Sequence, residues 1–192
     1  MRLCQYLRMV FFLAALAGAV FGGADQYLGS LSAIPWLVDS SLLSAPWLLL
    51  PFVFGCTQRS AKRAMVIGCV TTAFALIGYF VMTLSPVEGV HLHGSLAPVL
   101  GLLRSERTVI VGSVFTAPLY GFLGYEWRAK KAWISALLVG GAFFLEPLAL
   151  AVVGRLPQRA DVWVAEMCMG LVLTSYLSWS KFLSRRSHGV QP

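Results

Sequence analysis

Glu146 stands inside the apolar run LLVGGAFFLEPLALAVVG (137–154) and is followed at once by Pro147. An ionisable side chain at membrane depth costs about 2.5–3.5 kcal/mol on insertion scales, so it is turned toward a bundle interior or a wet cavity. Pro147 has no N–H, which frees the carbonyl of Phe143 and predicts a kink. Gly140 and Gly141, a turn or two earlier, let another backbone come close. A carboxylate beside a freed carbonyl and a glycine pair suits a proton, a cation or a polar ligand. It equally suits a buried hydrogen bond or ion pair between helices, and the residues alone leave both readings open.

Other groups fall within reach of the same chemistry. Glu166 follows the next apolar run's start by four residues, about 6 Å into it at 1.5 Å per residue, while Glu146 lies about 12 Å from the end of its own run. The two runs are joined by a short turn, so both carboxylates are candidates for one vestibule. Asp25, at the end of the first apolar run, is a candidate for its rim. Arg104 and Arg107 are candidate counter-charges, and Tyr79 is either a hydrogen-bonding group inside the bundle or a member of an interfacial aromatic belt. The competing reading keeps these residues separate, with Asp25 and Glu166 as interfacial charges and Glu146 alone in the interior. No residue is singled out as catalytic.

The elements that must position these groups are apolar runs. Of 192 residues 58% are hydrophobic and only 12% charged, about half the charge of a soluble domain. Six spans are predicted, at about 9–27, 42–58, 64–86, 108–127, 132–154 and 162–180. Together they form one all-α bundle over residues 1–183, followed by a disordered tail at 184–192. The first run also has the Arg-flanked, small-residue layout of a signal peptide, but we read it as a retained span. Pro46 and Pro51 interrupt the second run, so it is predicted to be bent and supported by its neighbours. The segment before it, 28–44, reads as an interfacial connector with Trp36 at headgroup level. Leu96–Leu103 is too short to cross a bilayer.

Charge sorts by loop. The N-terminus, 58–63, 128–131 and the tail hold eleven of fifteen Lys and Arg, leaving Arg104, Arg107, Arg155 and Arg159 for the alternate connections. By the positive-inside rule both termini are cytoplasmic in a multi-pass plasma-membrane protein. Seven of eight acids fall in the opposite half, Glu126 being the exception. The net charge of +7 therefore reports topology, and nucleic acid is not an expected partner.

Small residues recur on the first span as Ala14/Gly18/Gly22 and Ala15/Ala19/Gly23. Such a stripe serves close packing within the bundle or docks a partner protein or a second copy. Cys4, Cys56, Cys69 and Cys168 have no metal-ligand spacing and read as buried, inert thiols. His91 and His93 have no further ligand nearby, so no metal and no cofactor are expected. No P-loop, Rossmann, HExxH or GxSxG pattern is present, and an enzyme using Glu146 and Glu166 as an acid/base pair ranks last.

Three stretches resemble a family of small, six-span bacterial integral-membrane proteins without an assigned activity. They are Gly22-Gly23-Ala24-Asp25-Gln26-Tyr27-Leu28, Ala45-Pro46-Trp47-Leu48-Leu49-Leu50-Pro51-Phe52, and Ala117-Pro118-Leu119-Tyr120-Gly121-Phe122-Leu123-Gly124 with Trp127-Arg128. The resemblance implies shared roles for Asp25, Tyr27, Leu28 and Glu146. Size and span number are also similar to those of the substrate-binding subunits of energy-coupling-factor importers, at the level of fold alone. The expected function is a small transporter or solute-binding membrane protein whose Glu146 works in an outward-facing polar vestibule. The alternative is a non-enzymatic partner or assembly subunit.

Overall fold

The computed structural model describes residues 2–88, 96–130, 133–154 and 158–188. His91, His93, Lys131 and Arg155 lie outside the described residues, as does the end of the tail. Cys4 is described in its backbone alone.

The apolar runs form helices. They are α1 (Arg2–Ser30), α2 (Pro35–Ser41), α3 (Ala45–Cys56), α4 (Ala61–Thr83), α5 (Ala97–Ser105), α6 (Arg107–Lys130), α7 (Trp133–Val152) and α8 (Ala160–His188). No strand occurs among the described residues. Five helices are long and apolar enough to cross a membrane, or six segments if the bent pair α2–α3 counts as one. Their surfaces fit that setting: Phe12, Phe115, Leu171 and Val172 are all largely exposed on helix faces, where water would penalise them and lipid does not. Helix α8 continues to His188, into the stretch expected to be a disordered tail.

Local chemistry explains several boundaries. Ser60 is extended, and its hydroxyl accepts from the Arg63 N–H, capping α4. Pro35, Pro46 and Pro98 sit in the first turns of α2, α3 and α5, where their missing N–H costs nothing. Pro46 also explains why α2 and α3 are two helices. In a continuous helix its ring would collide with the carbonyl of Leu42. The chain instead turns by 60° across Leu42–Ser44. The expected connector at 28–44 is thus largely helical, α1 running on to Ser30 and α2 forming the first arm of the bent pair.

Helices α1 and α4 run parallel to each other, and α6 runs antiparallel to α4. Helix α1 packs along α4, α4 along α6, and α3 against both α4 and α6. The α1–α4 crossing uses the small-residue stripe. Ala14 is fully buried, a Cβ on Gly22 would meet the carbonyl of Ala75, and one on Gly78 would meet that of Ala19. The face with Ala14, Ala15, Gly18, Ala19 and Gly22 is therefore taken up inside the chain by α4, at its buried positions Ala14, Gly18 and Gly22. Helices α7 and α8 form a second close pair through Gly140 and Gly170. This hairpin meets the other helices over much smaller areas of α2, α3 and α6.

The packing differs between the two ends. The end with Arg59, Lys62, Arg63 and Arg128 is closed by apolar clusters. One joins Phe52, Tyr120, Leu123, Ala136, Val139 and Leu177 across α3, α6, α7 and α8. The other joins Val10, Ala14 and Ile67 between α1 and α4. The Trp127 indole donates to the carbonyl of Leu177 at 3.4 Å, and Arg128 donates to that of Cys56 at 3.0 Å. The opposite end, with Asp25, Asp39, Glu106 and Asp161, holds cavities instead.

Candidate functional site

The gap between α2 and α3 leaves backbone donors to be satisfied, one by one. The N–H of Leu42 reaches Asp39 O at 3.3 Å and that of Leu43 reaches Ser40 O at 3.2 Å. Trp47 N–H reaches Ser44 O at 3.1 Å, and Pro46 has no N–H. Two donors remain, on Ser44 and Ala45. Both go to Glu146 of α7: Ser44 N–H donates to Oε1 at 2.6 Å and Ala45 N–H to Oε2 at 2.5 Å. One carboxylate thus caps the start of α3 with both oxygens. Its negative charge also lies at the positive end of the helix dipole, and charge-assisted bonds of this kind are short and strong. Glu146 is placed for this by Pro147, which is fully buried, and by Phe143 one turn back, also fully buried.

Glu166 of α8 faces Glu146. It is only 4% exposed, and neither of its oxygens has a hydrogen bond of good geometry. It lies on the wall of a cavity of about 390 Å³ between α2, α3, α7 and α8. The rest of that wall is mostly apolar, with Leu43, Pro46, Phe143 and Met169, and Trp36 and Asp161 nearer the rim. Asp161 is held by Arg159 through two bonds of 3.1 and 2.8 Å, and Arg159 N–H donates to Asp39 at 3.2 Å. These contacts fasten α2 to the start of α8.

Asp25 belongs to a second cavity, of about 320 Å³, on the other side of the break. It accepts from the Trp47 indole at 3.2 Å. Trp47 is wedged edge-on between Phe21 at 5.6 Å and Tyr79 at 5.9 Å, the geometry aromatic pairs favour. Tyr79, Ser41, Ser44 and Glu106 complete the polar part of this wall. Leu43, 6% exposed, lines both cavities and separates them.

Glu146 and Glu166 are therefore brought together, whereas Asp25 is in a separate chamber with Tyr79. Arg104 and Arg107 are exposed and line neither cavity; their neighbour Glu106 takes a place in the wall. Trp47, Glu106 and the Ser44–Ala45 amides were not singled out from the sequence. The hint for the amides was Pro46 just inside a helix start; Ser44 at the N-cap makes no side-chain capping bond. Cys69 and Cys168 carry free thiols and are exposed on helix faces, not buried. Among the described residues no three His, Cys, Asp or Glu come together as a metal site.

Five long apolar helices beside a bent helix pair have the dimensions of a multi-pass membrane protein. No protein-family model matches the chain, and neither a curated protein nor a solved structure shows significant similarity to it.

Proposed function

We propose that this protein is a small transporter, or solute-binding membrane protein, that works through Glu146 and Glu166. Both termini then lie in the cytoplasm and the cavity-bearing end faces outward across the plasma membrane. Its kinship with the small bacterial six-span family belongs to the same proposal. The single observation that carries the reading is the broken span clasped by a carboxylate. Discontinuous helices with free backbone groups at membrane depth are the usual architecture of transporter binding sites. Here the donors at the break are held by a side chain that can exchange its charge for a proton. Glu166 beside it gives a proton a second place to go.

The partner-subunit reading has less support, because α4 already covers the small-residue face of α1. The test is proton flux. In proteoliposomes loaded with a pH-sensitive dye, organic cations, anions and neutral amphiphiles are added in turn. At least one should drive proton movement with the wild-type protein, and Glu146→Gln should abolish it while the protein still elutes as a single folded species. Vesicles that stay proton-tight across the whole panel would refute the proposal.

A further inference from the structure

We infer that the cavity beneath Trp36 is a binding site for a small lipophilic organic monocation, with its ammonium group on Glu166. The inference rests on the proposed solute-binding role and names the ligand class for the Glu166 chamber. Three features of the wall define that class. First, the chamber is apolar over most of its surface, through Leu43, Pro46, Phe143 and Met169, so the body of the ligand is hydrocarbon. Second, Glu166 is buried against Glu146, and neither of its oxygens meets a donor in good geometry. A buried acceptor without a donor is costly, and the missing partner is a donor group arriving from the chamber. Third, no basic side chain among the described residues lines it. The other acids around it are already served, Glu146 by two backbone amides and Asp161 by Arg159. The uncompensated position is Glu166 alone, which matches one positive charge. Trp36 nearer the rim adds an aromatic face that attracts ammonium groups.

Size narrows the ligand further. About 390 Å³ is near the lower end for small-molecule pockets. An arylalkyl amine with a single ring suits it, and a phospholipid does not. The Asp25 chamber differs in this respect, since its carboxylate already accepts from Trp47 and its wall is more polar.

Binding is tested on the full chain in phosphatidylcholine nanodiscs by titration calorimetry. The probes are 2-phenylethylamine, a cation at neutral pH, and the near-isosteric neutral 2-phenylethanol. The amine should bind about tenfold or more tightly than the alcohol, since truncating one partner of a buried charged pair costs at least that much. Glu166→Gln, which keeps shape and removes charge, should bring the two affinities within about twofold. Ala165→Phe, which fills the chamber without touching the carboxylate, should remove binding of both probes. Equal binding of amine and alcohol to the wild type would overturn the inference and make the chamber a cleft for lipid chains. An amine preference that survives Glu166→Gln overturns it as well. The outcome is separable from proton flux: flux without amine binding sinks this inference alone, and amine binding without flux sinks only the transport reading.

Discussion

Replacing Glu146 by alanine removes the acceptor of two backbone donors, and the structure gives the scale of the loss. The pair amounts to the N-cap of α3, and losing a cap costs about 0.5–2 kcal/mol. A buried donor left without an acceptor costs about 1–3 kcal/mol. The Ser44 amide is at an exposed position and the Ala45 amide at a part-buried one, so only one of the two carries the full penalty. About 0.5–1 kcal/mol for the exposed Ser44 amide and about 1.5–2 kcal/mol for the Ala45 amide give about 2–3 kcal/mol for Glu146→Ala. Glutamine retains one carbonyl oxygen and turns its NH₂ toward the other amide, so Glu146→Gln should cost about half as much. The loss is local to the break, because Phe143 and Pro147 stay buried in either variant. Hydrogen exchange read by mass spectrometry over a peptide covering Leu42–Leu48 measures it directly. At about 1.4 kcal/mol per factor of ten, exchange at Ser44 and Ala45 should accelerate about 30- to 100-fold in Glu146→Ala and about 5-fold in Glu146→Gln. Peptides from α1 and α4 should not change. Unaltered protection at the break in both variants would show that the carboxylate does not hold it.

Two further outcomes follow from packing. Gly22→Leu should deplete folded protein by several-fold, because its side chain would occupy the position of the Ala75 backbone; Gly141→Ala, with open space around it, should leave the yield unchanged, and monodisperse recovery by gel filtration compares them. Trp47→Phe keeps an aromatic wedge between Phe21 and Tyr79 and removes the donor to Asp25. It should lower the melting temperature by a few degrees, in keeping with about 1 kcal/mol for one hydrogen bond.

The apolar runs were legible because hydrocarbon imposes a length on every span. That Glu146 has a partner was also legible, since a carboxylate in such a run needs one, and its depth put Glu166 near it. The partner itself was not. Ser44 and Ala45 are about a hundred residues away in sequence, and a backbone amide leaves no mark on residue type. Helix rotation was hidden too. A span surrounded by lipid is apolar on every side, so α4 and α6 have no polar stripe to show which face looks inward. For the same reason Arg104 and Arg107 were candidates where Glu106 is the residue in the wall, and Asp25 was grouped with carboxylates from which Leu43 divides it.

The crossing of α1 with α4 has a mechanical meaning. Where carbonyls of one helix stand in the space a side chain of the other would fill, neither can slide or roll without climbing over the other's main chain. The two therefore travel as a single strut. The α7–α8 hairpin is fastened to the other helices by one apolar cluster at one end and by a few polar ties at the other. Any rocking of the molecule has its fixed frame in the strut and its lever in the hairpin.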